Sequence, residues 1–222
     1  MKRSFLGLLA GALVVAALPA TAQSDYPNKP VKRIIPFPVG GTSDIMRRMA
    51  ADELTKALKQ SLVVENVGGA GGVIGTERAA KATPDGYALA LTGVGQNAVA
   101  HGLNPKIGYD SMKDFSHITQ IHSGLNVLEV HPDTPFKTFK QLIDYGRANP
   151  DKLSYGYTFA ASGHVAMELL KQTVSECPKG AKDGKGLFMV GIPYRGSGPM
   201  MSDMLGGQIQ FRLATNLSRL TW

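Results

Sequence analysis

The chain has 222 residues, 43% of them hydrophobic and 18% charged, with 24 Lys and Arg against 17 Asp and Glu. This is the composition of a globular protein with room for a sizeable core and two domains, not of a low-complexity chain. Its basic residues are scattered, without an arginine-rich run or interleaved aromatics, which argues against nucleic-acid binding. Its single cysteine, Cys177, excludes an internal disulfide.

The first 22 residues stand apart. Lys2 and Arg3 are followed by an apolar run from Phe5 to Leu18, then Pro19 and the small-x-small sequence Ala20-Thr21-Ala22. This pattern reads as a secretory signal peptide, cut before Gln23. The run is too short to span a bilayer, which needs roughly 20 apolar residues. The mature chain is therefore expected to be exported and not membrane-spanning. It keeps 22 basic and 17 acidic residues, a net charge of +5, mild enough to describe a solvated surface as well as an anion-attracting one.

Past the signal, strands and helices alternate. "VKRIIPF" reads as a strand, residues 45–58 as an amphipathic helix, "SLVVEN" as a strand, "VIGTERAAKA" as a helix after a glycine turn, and "YALALTG" as a third strand. This βαβαβ order predicts a parallel sheet with helices on its faces. After a linker around Ser116–Gly124 comes a second block. "NVLEVHP" is a strand, and Thr138 caps the helix "FKQLIDYGRA", which stops at Asn149-Pro150. The strand "KLSYGYT", the helix "HVAMELLKQTV", the strand "LFMVGIPY", the helix "GPMMSDML" and the strand "QIQFRLA" follow. Residues 23–120 and 121–222 are thus expected to form two α/β domains. Cys177 falls in "SECPKGAKDGKG", which reads as an exposed loop with no sign of a catalytic thiol.

In open parallel sheets, ligands bind beyond the carboxyl ends of the strands. Four loops meet that description: "PFPVGGTSD", "TGVGQNA", "YTFAASGH" and "PYRGSGP". The first, third and fourth directly precede predicted helices. Free N–H groups at a helix start, with the positive end of the macrodipole, attract an anion by about 0.3–1 kcal/mol when exposed. Hydroxyls and amides add neutral donors, so a carboxylate needs no Arg or Lys there. For any single loop the plainer explanation is capping: Ser43 or Asp44 capping the 45–58 helix, Ser162 the 164–174 helix. The weight lies in several such loops on one edge.

Catalytic patterns are lacking. "GTSDI" ends in Ile45 and "RGSGP" has the wrong spacing for a nucleophile elbow. In "GGAGGVIG" the third glycine of a dinucleotide fingerprint, counted from Gly69 and Gly71, falls on Ile74. His101, His117, His122, His131 and His164 have no metal-ligand spacing. Only His164, beside Ser162 and Gly163, lies in a candidate ligand loop. No enzyme, metal or cofactor is expected.

The stretches "YPNKPVKRIIPFPVGGTSD", "VVENVGGAGGVIGTERAAKATPDGYALAL", "SGH" opening a helix, and "PYRGSGPMMSDMLGGQIQ" closely resemble the substrate-binding receptors of tripartite tricarboxylate transporters, also called Bug receptors. The resemblance runs from Tyr26 to Gln210. It implies a periplasmic-binding-protein-like α/β fold with two domains and a cleft, a small carboxylate ligand, and the membrane subunits of a tripartite transporter as partners. It places Gly40, Gly41, Thr42, Ser43 and Asp44 in the first-domain half of the site, with Gly93, Gln96 and Asn97 on the third-strand loop. Ala161, Ser162, Gly163 and His164 form the second-domain half, and Tyr194, Arg195, Gly196 and Ser197 are candidate wall residues.

Three departures stand out. Val39 replaces a second proline that is usual in the family, the 175–186 turn is long, and "RLATNLSRLTW" does not resemble the family's continuation. The expectation is a truncated receptor whose first domain lacks its returning strands and helices. A receptor-like fragment without stable ligand binding is the alternative reading, and an exported hydrolase stands behind both.

Overall fold

The computed structural model describes residues 26–40, 42–176 and 189–215. The signal segment, Gly41, Cys177 with most of its loop, and the chain end lie outside the described residues. So do the side chains of Thr42 and Ser43.

The first block forms a three-stranded parallel sheet, as the alternating pattern predicts. Strand β1 (Val31–Ile35) lies between β2 (Leu62–Asn66) and β3 (Ala88–Ala90), with Val31 opposite Leu62 and Lys32 opposite Ala88. Every β1 residue except Lys32 is buried, as expected of a central parallel strand. Helix α1 (Thr42–Leu58) packs along β2, and α2 (Val73–Ala80) along β1 and β3. Helix α1 begins at Thr42 rather than near 45, so Asp44 sits inside its first turn instead of capping it. Strand β3 is only three residues long. The loop after it turns into a π-helical segment, Gly95–Val99, continued by the short helix α3 (Ala100–Leu103). "TGVGQNA" therefore also leads into helix, a feature its glycines hid.

The second block forms a four-stranded sheet in the order β4-β7-β5-β6. Its strands are β4 (Asn126–Val130), β5 (Ser154–Thr158), β6 (Val190–Tyr194) and β7 (Phe211–Thr215). The last three run parallel, and β4 is antiparallel to β7. One face is covered by α4 (Phe139–Ala148) and α5 (Ser162–Glu176), over a core of Phe136, Leu142, Leu153, Tyr155, Met167 and Phe211. The other face carries α6 (Ser197–Leu205), whose Met200 and Met204 pack on Ile209. Helix α4 starts as the sequence predicts. Thr138 accepts the Gln141 N–H at 3.2 Å, and Gln141 Oε1 accepts the Thr138 N–H at 3.1 Å, a capping box in which the cap residue contributes about 1 kcal/mol.

The two sheets meet at their carboxyl ends. A turn closed by the Ala161 N–H on Thr158 O carries Phe159 and Ala160 out of β5 into the first block. There Ala160, fully buried, joins Val73, Ala100 and Tyr109 in one apolar cluster. Gly71 meets this turn so closely that a Cβ on it would lie 2.1 Å from Phe159 O, and its φ is +66°. A Cβ on Gly95 would lie 2.9 Å from Ala160 O, and one on Gly196 2.9 Å from Pro38 Cδ.

Gly71→Ala should therefore force the sheets apart at this junction. The expected loss is about 1–3 kcal/mol, the usual cost of overpacking, with the left-handed backbone adding to it. Urea denaturation of wild type and variant checks the value.

Candidate functional site

The site is built where strand ends and helix starts converge. In the first block, the loop after β1 is held by a buried carboxylate. Asp44, 3% exposed, accepts the Gly40 N–H at 3.1 Å, the Arg48 Nε–H at 3.1 Å and an Asn66 amide N–H at 3.2 Å. Asn66 also donates to Phe37 O at 2.9 Å. One acid in the first turn of α1 thus ties the loop to the end of β2. Burial alone would raise the Asp44 carboxyl. The hydrogen bonds from Arg48, Gly40 and Asn66 outweigh it and hold the group below the usual carboxylate range. Asp44 shapes the loop and presents no oxygen to an anionic ligand.

Gln96 has a comparable internal task. It is 2% exposed; its Oε1 accepts the Gly93 N–H at 3.0 Å and its amide donates to Gly71 O. The Tyr109 hydroxyl donates to Gln96 O at 2.7 Å. These bonds join the loop after β3 to the glycine turn after β2. Gly93 is exposed and Asn97 half-buried on the same segment.

In the second block, α5 begins at Ser162 itself, so Ser162 is not a cap that precedes the helix. Its hydroxyl donates to Asn126 Oδ1 at 3.0 Å and lies 3.4 Å from Thr215 Oγ1, which is also 3.4 Å from Asn126 Oδ1. Three neutral polar side chains, from the first residue of β4, the last of β7 and the start of α5, thereby meet at one point. With Asn126 Oδ1 engaged by hydroxyls, its Nδ2 remains as a donor. Next to Ser162, Gly163 lets α5 approach β7: a Cβ there would lie 2.2 Å from Leu213 O. Thr158, at the end of β5, is 6% exposed, and its Oγ1 has no partner among the described residues.

The wall residues divide. Gly196 touches Pro38 across the junction, bringing the loops after β6 and β1 together. Arg195 is exposed and Ser197 half-buried at the start of α6. Tyr194 packs against the Met200, Met204 and Ile209 cluster, with its hydroxyl donating to Asp203 Oδ2 at 2.7 Å. Burial, reinforced by Asp203, pushes that hydroxyl up to about 12. His164 is drawn inward too, with its ring stacked on Tyr157 at 4.4 Å and 14°.

Sequence reasoning therefore missed Asn126, Thr215 and Thr158 as polar groups at this edge. Thr158 lay within a quoted loop; the other two come together only through strand pairing 89 residues apart. The grooves lined by Lys32, Ile74 and Arg78 (≈ 610 Å³) and by Val130, Phe136 and Phe139 (≈ 320 Å³) lie away from these loops. Among the described residues, no group of three or more His, Cys, Asp or Glu is placed to hold a metal ion, and no helix is long and apolar enough to cross a membrane.

Here two α/β sheets meet at their strand ends, over backbone amides and neutral side-chain donors. The chain belongs to the tripartite tricarboxylate transporter family receptors, whose signature matches residues 46–221. It is 34% identical over 211 residues to a UPF0065 protein in the gbd 5' region of Cupriavidus necator, covering 94% of this chain and 61% of the relative. It is 34% identical over 200 residues to BugT of Bordetella pertussis, covering 89% and 58%.

Among solved structures, an R. palustris protein with adipate superposes with a TM-score of 0.77 at 30% identity, covering 86% of this chain and 60% of that one. The periplasmic binding protein BugD matches with a TM-score of 0.72 at 32% identity, over 86% and 60%. MatC from Rhodopseudomonas palustris with bound malate matches with a TM-score of 0.74 at 26% identity, over 86% and 61%. The fold is thus that of periplasmic binding proteins, and the chain spans about 60% of the length of these relatives.

Asp44→Ala should leave the Gly40 N–H and the Asn66 amide without their acceptor and cost about 1–3 kcal/mol. The wild-type contribution is complete above the ordinary Asp value near 3.9 and is lost as pH falls through the lower native value. Chemical denaturation at several pH values should show an acid limb that is shallower in Asp44→Asn.

Proposed function

We propose that this chain captures a small carboxylate in the periplasm for a tripartite tricarboxylate-type transporter and performs no catalysis. The observation that carries the reading is the convergence of Ser162, Asn126 and Thr215 at the start of α5, two residues after the turn whose Ala160 packs into the first block. Neutral donors and helix-start amides suit a carboxylate that must be held and then released. The adipate and malate complexes of relatives support this ligand class.

On this reading the grip from the first block comes from the backbone and hydroxyls of Gly40, Gly41, Thr42 and Ser43, with Gly93 and Asn97 beside them. The grip from the second comes from Ala161, Ser162 and Gly163, with Arg195, Gly196 and Ser197 at the wall. Asp44, Gln96 and Tyr194 hold these loops in shape from behind. Residues 1–22 export the chain, the lobes divide near residue 121, and the membrane subunits of the transporter receive the ligand.

Calorimetric titration of the mature chain with malate and adipate tests the reading. Saturable binding is expected, with Ser162→Ala and Asn126→Ala each weakening it about fivefold, the equivalent of about 1 kcal/mol. The absence of a saturable signal with either dicarboxylate, from protein with a cooperative melting transition, would overturn it.

A further inference from the structure

The turn that joins the two sheets contains an anomaly. Ala160 has φ +59°, the left-handed region that side chains other than glycine and asparagine seldom occupy, and it is completely buried. Such a residue persists only where its surroundings over-determine it. One determinant is the apolar cluster with Val73 and Tyr109. The other is a side chain: the Ala160 N–H donates to His164 Nδ1 at 3.3 Å. The imidazole is fixed in turn by stacking on Tyr157, and Phe159 lies 6.0 Å away at 37°.

We infer that His164 is a positioning residue, whose neutral Nδ1 holds the Phe159–Ala160 turn in its left-handed form and thereby keeps the carboxylate site assembled only while the imidazole is unprotonated. The inference rests on the carboxylate-receptor reading for its effect on ligand, but not for its effect on the turn. Nδ1 can accept the Ala160 N–H only when it carries no proton of its own, so the proton of the neutral ring sits on Nε2. Protonation converts the acceptor into a donor facing a donor. The turn then loses its side-chain anchor, and the backbone that meets Gly71 and Gly95 across the junction is loosened.

The surroundings set where this happens. Burial pushes the imidazole below its ordinary value; Glu168, one turn along α5, pulls it up, and Lys171 pushes it down. Glu168 is itself engaged by the Tyr155 hydroxyl from β5 at 2.8 Å and by Lys171 at 3.0 Å. The charged residues of β4 and β7, Glu129 and Arg212, pair with each other at 2.6 Å. Arg212 lies on the α6 side of the sheet, where it also meets Ser197 O at 3.5 Å. The site is therefore complete above the ordinary histidine value, roughly 6.5. It is lost as pH falls through the lower native value.

Three variants and two readouts test this. His164→Asn places an amide oxygen near the position of Nδ1 and cannot titrate; His164→Ala removes the acceptor. Malate titration from pH 8 to pH 5 should show wild-type affinity falling more steeply than that of His164→Asn, the excess approaching about tenfold per pH unit below the native value. The ligand's own titration is common to both proteins and cancels. His164→Asn should retain most of the affinity at pH 8, and His164→Ala should lose it.

The second readout needs no ligand. Hydrogen exchange at the Ala160 amide, corrected for intrinsic rates, should lose protection in wild type as pH falls, stay protected in His164→Asn and be unprotected throughout in His164→Ala. Ala160→Gly, which accepts the left-handed backbone without strain, should reduce the pH dependence of protection. If malate binds nowhere but Ala160 protection follows the imidazole, the inference stands and the receptor reading falls. If Ala160 protection is the same in wild type and His164→Asn at every pH, the inference is wrong.

Discussion

The relation between the two sheets depends on a backbone turn pressed against glycine. Phe159 and Ala160 leave β5 and lodge among Gly71, Gly95, Val73 and Tyr109, elements of the other sheet. No salt bridge or long side chain is required for this contact. It is made of main-chain carbonyls at distances that a single methyl group would violate, so it fixes position sharply and tolerates little. Everything proposed for the site hangs on it, because the start of α5 follows the same turn by one residue.

Around that contact the polar residues take two kinds of work. Asp44, Gln96, Tyr194 and His164 resemble ligand donors in the sequence, yet each turns its polar atoms into the protein, toward Gly40, Gly71, Asp203 and Ala160 respectively. The loops they serve carry few apolar side chains and cannot be ordered by burial, so buried hydrogen bonds order them instead. Apart from the exposed Arg195 at the wall, the remaining candidate donors are neutral: hydroxyls, an amide and main-chain N–H groups. A site of that composition would hold the proposed carboxylate without a buried counter-charge, avoiding the desolvation cost that an ion pair would incur.

Much of the architecture was legible in order and type. Alternating periodicities gave the parallel first sheet, and Thr138 just before "FKQLIDYGRA" gave the start of α4. Four loops at strand ends were legible as a set, because glycine, hydroxyl and amide residues recur in them. The division of labour within them was not. Whether Asp44 faces solvent or is wrapped by Arg48, Gly40 and Asn66 depends on β2 lying beside β1, a tertiary fact. Asn126 and Thr215 are unremarkable letters at two strand ends until β7 pairs with β4. The left-handed Ala160 carries no local signal, since alanine is a poor candidate for that conformation.

The strand order of the second sheet has a consequence for how the chain acquires its shape. Among the described strands, β4 pairs only with β7, which also lies against β5. The strand made first in this block has no neighbour until the strand made last arrives between it and the rest. Loop closure over some 89 residues, the separation of Asn126 and Thr215, must precede any reward from that pairing. A chain with such an order stays open while it is being synthesised and completes this sheet late.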